Sequence, residues 1–306
     1  MTGPRNRLPV RFGRVIHLVF AAAVLGACAN TGSTRSATQP GDTAAQGRYA
    51  TVNGLPMYYE IHGRSPDQQR PLVLLHGGGS TITTTFGRVL PLLASSRQVI
   101  AIELQGHGHT ADRPAPLSFE QDADDVAALL AHLGVTQADV FGFSNGANTT
   151  LQLARRHPTL THRLIVASGF VTKDGIPDSL WAFFRLPPDP AKMPPALRQA
   201  YLQSAPDTTR LPALAGKLMA RLNGFHDWTD DEIRAIRAPT LVMIGDADAI
   251  RPEHAVRMAR LLPHAQLAIF PGTEHGAYIG ELSAIHACEE CIPAAVQLIT
   301  RFLDAP

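Results

Sequence analysis

Short apolar runs recur along residues 48–306, separated by polar or helix-like stretches. Several are continuous enough to be strands buried on both faces of a sheet. The six runs are Pro71–Leu75, Gln98–Leu104, Ala138–Phe143, Leu164–Ala167, Thr240–Ile244 and Gln266–Phe270. Because strands that alternate with helices are joined by right-handed crossovers, they pair in parallel. The pattern predicts an α/β domain with a mainly parallel sheet and helices on both faces.

Two further elements can be predicted from local patterns. Apolar residues recur at helical intervals over Phe119–Leu133, and Ser118 stands in the N-cap position before them. Near the start of the domain, Tyr49–Val52 and Pro56–Ile61 flank Asn53-Gly54, a residue pair typical of a tight hairpin turn. We expect this antiparallel hairpin at one edge of the sheet.

The alternation of strands and helices breaks between about residues 171 and 237. This section contains no good strand, has many prolines, and holds both tryptophans, Trp181 and Trp228, among short helical pieces. We expect a helical insertion that lies over the mouth of the sheet as a cap. Its aromatic side chains either pack the cap onto the domain or contact a ligand, and packing is favoured for any single one.

The first 27 residues have the organisation of an export signal. Four arginines precede a mostly apolar run over Val15–Gly26, which is shorter than the roughly 20 residues that span a bilayer. Cys28 directly follows Leu25-Gly26-Ala27, so the segment resembles a bacterial lipoprotein signal. The resemblance implies cleavage before Cys28 and acylation of that residue. The alternative is an ordinary cleaved signal with an incidental cysteine.

Residues 28–47 contain almost no large apolar side chain, so they cannot bury enough surface to fold. We predict a flexible tether there. More than one acyl chain at Cys28 would hold the protein stably at a membrane surface without spanning it. The expected location is the bacterial cell envelope, on its periplasmic or outer-surface side.

Composition limits the partners and cofactors. A hydrophobic content of 45% supports a substantial core, and a net charge of +1 with both signs interspersed provides no basic stripe for nucleic acid. Apart from Cys28, the cysteines are Cys288 and Cys291. Two ligands do not complete a tetrahedral zinc site, so a disulfide or two inert thiols are expected. No metal, cofactor or protein partner is indicated.

A serine lies between two glycines directly after the predicted strand Ala138–Phe143. In a G-x-S-x-G turn the chain passes abruptly from strand to helix, which forces the serine into an uncommon backbone conformation and exposes its hydroxyl. Gly142 and Gly146 have no Cβ to crowd the neighbouring elements. Ser144 is therefore the candidate nucleophile. The five residues alone are equally compatible with an ordinary strand-to-helix turn.

Four other motifs flank this turn. They are an apolar strand followed by His76-Gly77-Gly78-Gly79, the turn Gln105–Thr110, an apolar strand followed by Gly245-Asp246-Ala247-Asp248, and Phe270–Gly276, which contains His275. Together the motifs resemble the α/β-hydrolase superfamily over essentially all of Arg48–Pro306, in the order Ser, Asp, His that this fold uses. Glu103 and Ala147 depart from the family pattern, where aspartate and glycine are common.

The resemblance implies an α/β-hydrolase fold with a cap and assigns catalytic roles. His275 is expected to take the proton of Ser144 during attack, because a serine hydroxyl is a poor nucleophile without a base. Asp248 is expected to orient His275 and stabilise its protonated form. Asp246 is the alternative acid; otherwise it is a turn residue that bonds local backbone N–H groups.

The tetrahedral intermediate also needs backbone donors. The N–H groups of Asn145 and Gly78 are expected to form this oxyanion hole, with Gly77 as the alternative to Gly78. His76 is expected to brace the loop, and His107 and His109 to be structural.

The expected activity is hydrolysis of ester or lactone bonds of small, fairly apolar substrates through an acyl-enzyme, without a cofactor. Hydrolysis of carbon–carbon bonds or cofactor-free perhydrolysis could use the same three residues. A non-catalytic binding protein on a hydrolase fold is the alternative from another class.

Overall fold

The computed structural model describes residues 47–64 and 70–306. The predicted signal peptide (residues 1–27), Cys28 and the predicted tether up to residue 46 lie outside the described residues. The strands are β1 Arg48–Val52, β2 Leu55–His62, β3 Leu72–Leu75, β4 Val99–Ile102, β5 Ala138–Phe143, β6 Thr161–Ala167, β7 Thr240–Gly245 and β8 Ala265–Phe270. The helices are α1 Ile82–Phe86, α2 Leu90–Ala94, α3 Phe119–His132, α4 Asn145–Arg156, α5 Asp178–Phe184, α6 Pro195–Ser204, α7 Leu211–Asn223, α8 Asp230–Arg234, α9 Pro252–Leu261 and α10 Cys291–Leu303.

The eight strands form one sheet in the order β1-β2-β4-β3-β5-β6-β7-β8. Strands β1 and β2 pair antiparallel at one edge, and β2 pairs antiparallel with β4, whereas all pairs from β4 to β8 are parallel. Asn53 and Gly54 make the hairpin turn with φ angles of 49° and 75°. Both the mainly parallel sheet and the edge hairpin are as predicted.

Side chains of the central strands alternate between two apolar cores. Val73 and Leu75 of β3 face the core that also contains Val126 of α3 and Leu151 of α4. Their neighbours on β3 face a second core with α2 and α10. Because the central strands are covered on both faces, they are mostly apolar, and β3 and β4 are apolar at every position, which produced the continuous runs in the sequence.

One predicted strand is longer than the observed one. The apolar run over Gln98–Leu104 forms β4 only as far as Ile102. The N–H of Leu104 donates to Nε2 of the buried His76 at 3.1 Å instead of continuing the sheet. A tertiary contact with a histidine 28 residues away therefore ends the strand, which local patterning could not show.

Between β6 and β7 the chain forms helices α5 to α8 and short 3₁₀ turns, the predicted helical cap. Helix α7 fixes the cap to the rest of the domain through two ion pairs. Lys217 lies 2.7 Å from Asp112, and Arg221 lies 2.7 Å from Asp122 on α3. The Arg221–Asp122 pair is buried, so removing one partner would leave an uncompensated charge. The exact domain boundaries stay a prediction.

The structure also shows the state of the two C-terminal cysteines and the lengths of the apolar helices. Cys288 and Cys291 are joined by a disulfide at the start of α10, whose first residue is Cys291. Over residues 47–64 and 70–306, no helix is long and apolar enough to cross a membrane.

Helix α4 lies so close to β3 that a substitution at Gly146 tests the packing between these two elements. A Cβ added to Gly146 would lie 2.0 Å from the carbonyl oxygen of Leu75. We expect Gly146→Ala to lower the free energy of unfolding by at least about 3 kcal/mol, because backbone must move. Gly216→Ala, inside α7, is the matched control. Its nearest contact is Pro188 Cγ at 3.7 Å, so it should stabilise by about 0.5–1 kcal/mol. Urea unfolding would compare the two, and equal effects would contradict the prediction.

Candidate active site

Ser144 lies at the sharp turn between β5 and α4. Its backbone angles are φ 53° and ψ −118°, a strained conformation for a residue with a side chain. Its N–H donates to Ala167 O at 2.8 Å, so the turn is still bonded to β6. A Cβ on Gly142 would lie 2.1 Å from Gly146 O, and one on Gly146 would lie 2.0 Å from Leu75 O, which shows why both positions need glycine.

The structure brings Ser144, His275 and Asp248 together although 131 residues separate the first two. Ser144 Oγ lies 3.0 Å from Nε2 of His275, and Nδ1 of the same ring lies 2.7 Å from Asp248 Oδ1. Asp248 is fully shielded from solvent, while the imidazole is partly exposed. The arrangement can therefore pass a proton from the serine hydroxyl to an imidazole that is held by a carboxylate.

Asp248 is held by more contacts than the sequence indicated. Its Oδ1 accepts the Ile250 N–H at 2.9 Å, and its Oδ2 accepts the hydroxyl of Ser168 at 2.6 Å. Ser168 directly follows β6, has a positive φ of 52°, and lies 2.8 Å from the buried hydroxyl of Tyr278. Sequence reasoning missed both residues. The available signal was that Ser168 follows the strand adjacent to β7, at the same edge of the sheet as Asp248.

Asp246 occupies a different environment. Its side chain is exposed and makes no hydrogen bond within the described residues, so the turn bonds expected of it are made by Asp248 instead. Its backbone N–H donates to Phe270 O at 3.0 Å.

The ionisation of the pair follows from burial and charge. Burial disfavours the protonated imidazole, but the charge and hydrogen bond of Asp248 outweigh it and raise the pKa of His275 above the usual 6.5. Burial likewise opposes the carboxylate form of Asp248, yet the charge and hydrogen bond of His275, helped by Ile250 and Ser168, hold its pKa below 3.8. At neutral pH the acid is ionised and ready to stabilise a protonated His275.

The glycine loop after β3 leaves one amide free. Gly77 N–H donates to Thr85 Oγ1 at 3.3 Å, and Gly79 N–H donates to His107 Nε2 at 3.0 Å. Gly78 N–H has no acceptor within the described residues, and Gly78 packs against the Asn145 side chain. Asn145 N–H, in the first turn of α4, also lacks a partner among the described residues, as helix N-termini do. Two unpaired donors therefore lie beside Ser144.

Two buried histidines hold this loop in place. Nε2 of His76 accepts the Leu104 N–H, and Nε2 of His107 accepts the Gly79 N–H. Each ring uses its Nδ1 to donate to a nearby backbone carbonyl. Burial lowers the pKa of both, so they are neutral and act as fixed acceptors.

A cavity of about 240 Å³ opens above Ser144, between the sheet and the cap. Gly78, Ser144 and Asn145 line its floor, and Asp189 and Lys192 are its charged residues. Its other lining side chains come from the cap and are apolar: Phe183, Phe184, Met193, Pro194, Ala215, Leu218, Met219 and Leu222.

The remaining cap aromatics do not line this cavity. Trp181, Tyr201, Phe225 and Trp228 are buried in packing contacts. A larger cavity of about 330 Å³ lies between α3 and α7, but Ser144, Asp248 and His275 are not part of its lining. The chemistry therefore identifies the smaller cavity as the candidate active site.

The described residues contain one group of side chains with the composition of a metal site. This group brings three suitable ligand atoms together, those of Cys288, Glu290 and Cys291. With the two sulfurs bonded to each other, no thiolate is available at that place.

Comparison with known proteins places these features in a family. A sequence model described as "Alpha/beta hydrolase family" matches residues 72–287. The chain is 30% identical over 232 residues to a 2-hydroxymuconate semialdehyde hydrolase of Pseudomonas sp. (strain CF600), covering 68% of this chain and 81% of that one. It is 27% identical over 248 residues to a pimeloyl-[acyl-carrier protein] methyl ester esterase of Neisseria meningitidis, covering 72% and 93%.

Solved structures show the same fold. The enol-lactonase from Burkholderia xenovorans LB400 superposes with a TM-score of 0.65 at 21% sequence identity, covering 84% of this chain and all of that one (100%).

The contacts of His275 predict how its pKa responds to each nearby acid. Asp248→Asn should lower the His275 pKa, because burial then acts without the charge of the Asp248 carboxylate opposing it. Asp246→Asn, two residues away and exposed, should leave it unchanged. NMR titration of the histidine side chains would measure both, with the His275 signal identified by its loss in His275→Ala. A larger change in Asp246→Asn would contradict the arrangement.

Proposed function

The chain belongs to the alpha/beta hydrolase family, and on this basis we propose that it is a serine hydrolase that cleaves ester or lactone bonds of small, fairly apolar substrates. The observation that carries the proposal is the chain of contacts from Ser144 through His275 to Asp248, with distances of 3.0 and 2.7 Å. These values lie within hydrogen-bond reach of a nucleophile, a base and an orienting acid.

In the first half-reaction, Ser144 Oγ attacks the acyl carbon while His275 Nε2 takes its proton. The negative charge on Asp248 stabilises the protonated imidazole that forms. The developing oxyanion accepts hydrogen bonds from the N–H groups of Gly78 and Asn145, each worth on the order of 3 kcal/mol in the transition state. His275 then donates its proton to the leaving oxygen, and an acyl-enzyme remains on Ser144.

In the second half-reaction, water attacks the acyl-enzyme. His275 now takes a proton from the water, the same two amides stabilise the second tetrahedral intermediate, and return of the proton to Ser144 Oγ releases the acid. Every proton transfer in this scheme goes to or from His275.

The substrate class is supported by the cavity. Its volume of about 240 Å³ and its mostly apolar cap lining suit a small acyl group with little charge. Its floor presents the polar groups needed at the reacting bond, and apart from Asp189 and Lys192 the cap side chains around them are apolar.

Hydrolysis of a carbon–carbon bond is the second candidate. It is favoured by the similarity to the 2-hydroxymuconate semialdehyde hydrolase and by Lys192, a cation among the cavity residues that suits an anionic substrate. Product analysis distinguishes the two activities, because ester cleavage yields an acid and an alcohol, whereas cleavage of a ketone-type carbon–carbon bond yields an acid and a new C–H bond.

We also propose that Cys28 anchors the exported protein to the cell envelope, on the strength of the arginine-rich and apolar segment that precedes it. Cys28→Ser should then move from the membrane fraction to the soluble fraction, because the acyl chains are lost. Fractionation of cells that make each variant would measure this. An unchanged distribution would contradict lipidation.

Labelling with a fluorophosphonate tests the nucleophile. The wild-type protein should form a covalent adduct on Ser144, detected as a mass increase of the peptide that contains it, because the probe reacts with activated serines. Ser144→Ala should not be labelled, whereas Ser95→Ala, which removes an exposed surface hydroxyl, should label normally. Absence of labelling in the wild-type protein would favour a non-catalytic binding role.

The same reaction has an expected pH dependence. His275 must be neutral to act as a base, and its pKa lies above the usual 6.5. The labelling rate should therefore fall as the pH drops through that raised pKa, because the imidazole becomes protonated. A rate that stays flat to about pH 4 would exclude His275 as the base.

A further inference from the structure

A second buried carboxyl group lies beside the candidate active site, and the scheme above gives it no role. Glu281 is only 2% exposed. Its Oε1 accepts the Ser80 hydroxyl at 3.1 Å, while its Oε2 is shielded from solvent and makes no hydrogen bond of normal geometry within the described residues. A buried acid with an unpaired oxygen is costly, so its presence needs a reason.

Glu281 connects the two loops that carry the catalytic groups. Ser80 closes the glycine loop, because its N–H donates to Gly77 O at 3.2 Å. On the other side, Glu281 N–H donates to Gly276 O at 3.1 Å, next to His275. The packing is tight there, since a Cβ on Gly276 would lie 2.7 Å from Glu281 Cβ. One residue thus joins the loop that holds the Gly78 amide to the loop that holds the base.

The surroundings of the carboxyl make its charge effective. Within the described residues, His275 is the titratable group whose charge acts on this carboxyl, and the neutral groups beside it are the hydroxyls of Ser80, Thr85 and Ser283. Burial raises the pKa of Glu281 to about 6, so the group is mainly an anion at neutral pH. The negative charge of Glu281 also raises the pKa of His275, in addition to the larger effect of Asp248.

We propose that Glu281 is a positioning residue with two effects: it ties the glycine loop to the His275 loop through Ser80, and its carboxylate stabilises the protonated form of His275 together with Asp248. The catalytic part of this inference rests on the proposed serine hydrolase function, because protonated His275 is the form that appears during Ser144 attack.

Two substitutions separate the effects. Glu281→Gln removes the charge but keeps an oxygen that can accept the Ser80 hydroxyl, whereas Ser80→Ala removes the tie but keeps the charge. Glu274→Gln is the matched control. Glu274 immediately precedes His275 in the sequence, but its side chain is directed to the surface, where it bonds His286 at 2.8 Å.

The first measurement is the His275 titration by NMR, which does not require turnover. Glu281→Gln should lower the His275 pKa by about half a unit or more, whereas Ser80→Ala and Glu274→Gln should leave it unchanged. In the wild-type protein the titration curve should depart from a single ionisation, because Glu281 titrates in the same range. A single-site wild-type curve would overturn the proposed charge effect even if Glu281→Gln failed to fold.

The second measurement is kcat/KM for an ester across pH. Glu281→Gln should lower the plateau by about tenfold and move the acid limb to lower pH, whereas Ser80→Ala should lower the plateau without moving the limb. An unchanged His275 pKa in folded Glu281→Gln overturns the inference. If the wild-type protein neither labels nor hydrolyses esters while the NMR shift appears, the serine hydrolase proposal fails and the coupling of Glu281 to His275 stands.

Discussion

The turn at Ser144 is the constraint on which the rest of the site depends. Helix α4 begins so close to β3 that the chain can pass only with glycine at position 146, where a Cβ would lie 2.0 Å from Leu75 O. The positive φ of Ser144 stores on the order of 1–3 kcal/mol of strain, which the surrounding sheet and helix must hold. In return, the half-buried hydroxyl faces the cavity at the edge of the sheet, and the Asn145 N–H at the start of α4 has no partner among the described residues.

The parallel sheet explains how distant residues reach this point. Strands β3 to β8 all end at the same edge, and hydrogen bonds between strands continue into the turns that follow them. Ser144 N–H bonds β6 at Ala167 O, Ser168 N–H bonds β7 at Met243 O at 2.8 Å, and Asp246 N–H bonds β8 at Phe270 O. Each turn is therefore held by the next strand, which fixes the candidate nucleophile, the candidate acid and its Ser168 contact relative to one another.

Buried polar groups determine the finer geometry. His76 and His107 are neutral because they are buried, so each offers a fixed acceptor to a backbone amide. His107 accepts a hydrogen bond from the Gly79 N–H, and Thr85 accepts one from the Gly77 N–H. The Gly78 N–H is left to face the cavity. The cap then covers this polar floor with apolar side chains, which lowers the local dielectric and strengthens the charges beneath it.

The sequence by itself determined the class of fold and the candidates for the reacting groups, because both leave signals in short stretches of the chain. Strands covered on two faces must be mostly apolar, and the strand-to-helix turn at Ser144 must carry glycines on both sides. The choice of Asp248 over Asp246 came from family spacing, and the structure places Asp248 against His275. Tertiary structure alone decided which glycine amide is free, where β4 ends, and that Ser168, Tyr278 and Glu281 lie beside the candidate catalytic groups. Each of these depends on contacts between residues far apart in the chain, which no local pattern encodes.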